Sequence, residues 1–153
     1  MPRRRLTATA VPLPAVPSSA RAARTYVSAV VSAADLPDGV VESAALLTSE
    51  VVTNAIVHAG RDITVHAVVN EDACVRVEVS DAEPRLPAVQ PTRIESTNGR
   101  GLVLVEALAT TWGIDVKSVG KTVWFELQSE QASRNPPRPK SHRRRPNKRP
   151  RSA

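Results

Sequence analysis

The chain has 153 residues, 41% of them apolar, with one cysteine and a formal net charge of +6. That length gives room for one domain with a real core and leaves little for a second. A single cysteine excludes an intrachain disulfide framework, and no apolar run approaches the ~18 residues of a membrane span, so the composition reads as a soluble, cytoplasmic protein. The charge is unevenly spread. Residues 129–153 carry nine Lys or Arg against one Glu, whereas residues 6–128 hold nine basic and fourteen acidic side chains, a balance of −5.

In chain order, residues 1–17 form a proline-rich segment in which Thr7 to Val11 can add an edge strand before Pro12 ends it. Ser18 or Ser19 suits the cap of a first helix reaching Ala34, with Ala22, Tyr26, Val30 and Ala33 as its apolar face. Pro37 and Asp38 suit the start of a second helix, Asp38 as its N-cap, and Gly60 suits a left-handed C-terminal cap. Within that helix Glu50, Asn54 and His58 recur every four residues and so stack along one face. Ala44, Leu47, Val51 and Ala55 form the adjacent apolar stripe that faces the core. Such a polar ladder is commonly just solvated surface, and other features must decide whether it is a site.

Two strands follow, Ile63 to Val69 and Ala73 to Ser80, joined by Asn70-Glu71-Asp72 in a hairpin-like link. Cys74 is read as a small strand residue. Val75, Val77 and Val79 point one way, and continuing the alternation sets Asp81 on their side. A carboxylate ending a buried face needs donors there or must lie at the mouth of a pocket. The alternative is that the strand stops at Ser80 and Asp81 begins a solvated turn. Residues 82–98, with Pro84, Pro87 and Pro91, lose periodicity over a length typical of lids or disordered segments. Gly99-Arg100-Gly101 then opens a helix through Leu102, Val105 and Leu108, a geometry that lets backbone N–H groups approach an anion, although alone it is also a plain flexible lead into a helix. Trp112 to Val116 and Thr122 to Leu127, turning near Gly120, read as the last two strands, again antiparallel. From Ser129 onward the chain lacks the apolar residues to fold.

The ordered set of Glu50-x-x-x-Asn54, Asp81 at a strand end, Gly99-x-Gly101 before a helix and a final Gly-Lys-Thr-Val-Trp-Phe strand resembles the ATP-binding domain shared by gyrase, histidine kinases and the large heat-shock chaperones. More narrowly it resembles the anti-sigma-factor serine kinases. The resemblance covers residues 18–128, with residues 129–153 as a disordered basic tail. It implies an α+β, two-layer sandwich of the Bergerat type, with a mixed, mostly antiparallel sheet covered on one face by about three helices. It further implies ATP and Mg²⁺ as ligands, Asn54 as the Mg²⁺ ligand, Glu50 as the base that takes a proton from a serine hydroxyl or water, and Asp81 as the acceptor for the adenine amino group. Gly99 and Gly101 would match the glycine box at the phosphates. The threonine position beside the adenine falls to Lys121 or Thr122; Thr122 is the candidate of the matching residue type, while strand alternation groups Lys121 with Val123 and Phe125. One departure stands out: where the family has glycines after the aspartate, this chain has Glu83 and Arg85, which adds bulk and a negative charge near the nucleotide.

The resemblance thus implies a serine/threonine-protein kinase that uses Mg-ATP to modify an antagonist protein and so controls a transcription regulator. The alternative is a catalytically inactive docking module of the same fold. A sensor histidine kinase fits less well, since no dimerisation helices with a phospho-acceptor histidine precede the domain; His58 reads as a helix-end residue near the negative end of the dipole. The expected partners are a sigma factor or an anti-sigma antagonist, and a homodimer is compatible with the family. The basic tail, with Arg143 to Arg145, lacks interleaved aromatics and reads as a solvated extension rather than a nucleic-acid reader.

Overall fold

The computed structural model describes residues 5–82 and 100–129. In chain order these form β1 (Leu6–Thr7), β2 (Val11–Leu13), α1 (Ser18–Ala33), α2 (Asp38–Ala59), β3 (Ile63–Val69), β4 (Cys74–Asp81), α3 (Arg100–Leu108), β5 (Thr111–Val116) and β6 (Lys121–Gln128). The strands make one sheet in the order β1-β3-β4-β6-β5, with β2 also on β3, and each pairing among the described residues is antiparallel. All three helices cover one face: α1 packs on α2 and β3, α2 on β3, β4 and β6, and α3 on α2 and β5. This is the expected two-layer α+β architecture. The sheet begins ahead of residue 18, because β1 and β2 both pair with β3.

Alternation in the central strands fixes which side faces the helices. Ile63, Val65, Ala67 and Val69 of β3, Val75, Val77 and Val79 of β4, and Val123, Phe125 and Leu127 of β6 are all buried. Across from them α2 buries Ala44, Leu47, Thr48, Val51, Val52, Ala55 and Ala59, so the expected stripe holds and is wider than four residues. By length and composition alone α2 could cross a membrane, which corrects the sequence reading that nothing in the chain has that reach. Here it is the central core helix, and its apolarity is accounted for by contact with the sheet on one side and α1 and α3 on the others.

α1 departs from expectation. Its buried residues are Ser19, Ala23, Val27 and Val31, one position along from the predicted face, while Ala22 and Ala33 are exposed. In an alanine- and valine-rich helix two neighbouring stripes are both apolar, and only the partner surface selects between them. Neither helix has a side-chain N-cap: Pro17 and Pro37 hold those positions, Ser19 donates its hydroxyl to the Pro14 carbonyl instead, and Asp38 lies in the first turn of α2, where its charge still favours the positive dipole end. Gly60 does close α2 in the left-handed conformation, at φ 59°.

Pro12 does not end the edge strand but sits within β2, where a missing N–H is tolerated on an outer edge. The gap between β1 and β2 is bridged by Tyr26, whose hydroxyl accepts a hydrogen bond from Ala67 N at 3.2 Å and donates to the Thr9 carbonyl at 3.0 Å. The β3–β4 turn closes on Asn70, whose Oδ1 accepts from the Asp72 and Cys74 amides, with Ala73 left-handed at φ 60°. Cys74 is partly buried; burial first, then the Glu126 carboxylate, pushes its thiol up to about 11, so it is a neutral strand residue.

The sheet face away from the helices is polar and internally paired. Arg76 donates to Glu78 at 2.8 Å and to Glu126 at 3.0 Å and stacks 4.2 Å from the centroid of Trp124. Burial works against its charge, and the two carboxylates outweigh that, raising its pKa above the ordinary guanidinium value. At the β5–β6 turn Gly120 adopts φ 77°, and a Cβ there would come within 1.9 Å of the Asp81 carbonyl oxygen. That close approach presses the turn onto the end of β4.

Two stability measurements follow from this architecture, each by urea unfolding. Tyr26→Phe removes a hydroxyl that joins Ala67 and Thr9 at a partly exposed position and is expected to cost about 1 kcal/mol, against about 2–5 kcal/mol for Leu47→Ala in the core. Gly120→Ala meets both an unfavourable φ and a backbone clash, and is expected to cost about 1–3 kcal/mol or more.

Candidate functional site

The end of β4 organises the candidate site. Asp81 belongs to β4 and is buried, with 2% of its side chain exposed, so the strand does not stop at Ser80 and the carboxylate does finish the valine face. Opposite it on one side stands Ile63, the first residue of β3, and on the other Lys121, the first residue of β6. Only Arg61 and Asp62 separate Ile63 from Gly60, the C-cap of α2, a reach of at most ~11 Å. The last turns of α2 therefore lie at the Asp81 end of the sheet, and Asn54 is ~9 Å back along the helix from Gly60.

On those turns Glu50 and Asn54 are both partly buried, flanking the stripe of Leu47, Val51 and Ala55 that meets the sheet. Their depth separates them from an ordinary solvated ladder. His58, the third rung, is exposed in the last turn. Among the described residues no group of three His, Cys, Asp or Glu side chains gathers to hold a metal. A magnesium site here would rest on the Asn54 amide oxygen, with waters and phosphate oxygens as the remaining ligands, an arrangement that suits this ion.

Gly101 is the second residue of α3, and its backbone lies in the first turn, where amide N–H groups have no intrahelical acceptor. The other end of α3 is anchored: Thr110 N donates to the Glu126 carbonyl at 2.8 Å, and the Trp112 indole donates to the Glu106 carboxylate. Gly99, Glu83 and Arg85 lie outside the described residues, so the wall that residues 83–99 contribute is not part of this description. A cavity of about 400 Å³ does occur elsewhere, at the β3–β4 turn beside Asn70, Cys74, Arg76 and Glu126. It is at the far end of the sheet from Asp81 and has none of the candidate residues in its wall.

The geometry separates Lys121 from Thr122. Thr122 pairs with Ser80 across the β4–β6 ladder, and the two hydroxyls share a hydrogen bond of 2.8 Å on the face away from the helices. It is 3% exposed, yet strand alternation turns it from Asp81. The position opposite Asp81 in the ladder is held by Lys121, and Thr122 stands opposite Ser80. Lys121 Nζ lies 3.3 Å from Asp81 Oδ2, and its side chain is 14% exposed. This ion pair was legible only as the grouping of Lys121 with Val123 and Phe125; the register that sets it against Asp81 required the structure.

Asp81, buried at its strand end, and the partly buried Glu50 and Asn54 on α2 are thus carried on elements that pack against one another. The family model described as the histidine kinase-like ATPase domain matches residues 13–127. An uncharacterized protein of Streptomyces coelicolor is 33% identical over an 86-residue alignment, which covers 54% of this chain and 82% of that protein. Two similar solved structures come from Erythrobacter litoralis: the histidine kinase domain of its blue-light activated histidine kinase, at 26% identity and a TM-score of 0.48, and the kinase itself, at 28% and 0.49. They cover 60% and 63% of this chain, which spans 47% and 33% of their respective lengths. With three-quarters of its length inside the family match, and with the site's elements in family order, the chain belongs to the histidine kinase-like ATPase domain family.

Proposed function

We propose that this chain is an ATP-dependent regulator of the anti-sigma-factor serine kinase type, which phosphorylates a serine of an antagonist protein. The observation that supports it most is the position of Glu50 and Asn54, partly buried on the half of α2 that reaches the Asp81 end of the sheet. In this reading Asp81 holds the base, Gly99 and Gly101 bring backbone N–H groups to the phosphates, and Asn54 holds Mg²⁺. Bound Mg²⁺ supplies charge neutralisation on the phosphates. Glu50 accepts the proton of the serine hydroxyl as its oxygen bonds to the γ-phosphorus and the bond to the leaving ADP oxygen breaks. The partners would be a sigma factor and its antagonist.

A second reading, a docking module without turnover, has its own support in Lys121 seated on Asp81 and in Glu83 and Arg85 where the family has glycines. Phosphate transfer distinguishes them. With labelled Mg-ATP and candidate antagonist proteins, the kinase reading expects transfer to serine, and a Glu50→Ala variant that still binds ATP should be slower by about 10²–10⁴. Antagonists that bind without accepting phosphate from the wild-type chain would overturn the kinase reading and leave the docking module.

A further inference from the structure

The sheet face away from the helices carries more acid than it neutralises. Arg76 is shared between Glu78 and Glu126. Asp115 pairs with Thr122 in the ladder and so points to the same side, adding a carboxylate with no ion-pair partner among the described residues. At the rim of this face, on the β3–β4 turn, Glu71 and Asp72 are exposed, and their carboxylates are likewise unpaired among the described residues. The cavity of about 400 Å³ at that turn has Glu71, Asp72 and Glu126 in its wall, with Arg5 and Arg76 as its cations. All three helices lie on the opposite side of the sheet, so no described element covers this surface.

The chain itself leads to this surface. Ser129, the last described residue, donates its amide to the Ala73 carbonyl at 3.3 Å, and the Gln128 side chain donates to the Asp72 carbonyl at 3.0 Å. The chain thus leaves the described fold beside the acidic turn. Residues 134–151 then carry nine Lys or Arg and no Asp or Glu, against a balance of −5 over residues 6–128. From Ser129 the chain can reach at most ~18 Å by Arg134 and ~40 Å by Lys140, whereas an eight-residue strand is ~27 Å long. Tethering at this distance makes the contact intramolecular, at an effective concentration on the order of millimolar. A second copy of the chain presenting the same face would set carboxylate against carboxylate, and a nucleic acid would bring more negative charge.

We propose that residues 134–151 dock across the open sheet face of their own chain, as a basic strap held by carboxylates that begin at Glu71 and Asp72. The inference does not depend on a nucleotide site.

The chain's four lysines are Lys117, Lys121, Lys140 and Lys148, so the basic segment can be traced through two amines. A zero-length carbodiimide, which joins a lysine amine to a carboxylate in direct contact, is applied to the intact chain at low and at high salt. Isotopically light and heavy chains are mixed in equal amounts, and the linked peptides are mapped by mass spectrometry. Expected are links from Lys140 or Lys148 to Glu71, Asp72 or Asp115 within one chain, falling about tenfold or more between ~0.01 M and ~1 M salt as the Debye length drops from ~30 Å to ~3 Å. Links made as often to helix-layer carboxylates such as Asp38 and Glu42 overturn the proposal, as do links found only between light and heavy chains. Links to the sheet face that persist at high salt, or the absence of any such links at low salt, overturn it equally.

Discussion

The contact between α2 and the sheet is the constraint on which the rest depends. Its buried stripe, from Ala44 to Ala59, lies on β3, β4 and β6, and once that contact is made the helix can neither rotate nor slide without exposing valines on both sides. Because the chain returns into β3 after Gly60 and two further residues, the end of α2 is tied to the end of the sheet where Asp81 and Lys121 sit. The candidate side chains thereby inherit their positions from the hydrophobic core. Glu50 and Asn54 are placed by Leu47, Val51 and Ala55, and Asp81 is placed by the valines that precede it in β4.

This coupling explains why a polar ladder can be partly buried at little cost. Glu50 and Asn54 lie at the margin of the apolar stripe, close enough to its rim to stay hydrated, while His58 is exposed. The opposite sheet face shows another solution to the same problem: there Arg76, Glu78, Glu126 and Thr111 satisfy one another across the strands, and Trp124 lies against Gly113, where a Cβ would come within 2.7 Å of the ring. That face pairs its charged groups internally. On the other, the paired groups stand at the end where the helices leave the sheet.

Much of this was legible in the residues, for physical reasons that differ from element to element. The α2 stripe could be read because charged and amide residues break the apolar pattern at a helical period, and β3, β4 and β6 could be read because valines alternate with polar groups. The side of Asp81 followed from that same alternation. The face of α1 was not legible, since alanine and valine occupy adjacent stripes and the choice is made by β3 and α2. Nor was the partner of Asp81. Alternation grouped Lys121 with the buried residues of β6, but a cross-strand ion pair depends on register, here that of the β4–β6 ladder, whose two strands are far apart in sequence.

The central claim is that the end of the sheet under α2 is a magnesium–nucleotide site, and one titration tests it most directly. Calorimetry of the intact chain with ATP, run with and without Mg²⁺ and repeated on Asn54→Ala, is predicted to show binding that needs Mg²⁺ and that the substitution abolishes. A folded wild-type chain that binds no ATP, or binds it equally well without Mg²⁺ and without Asn54, would contradict the account.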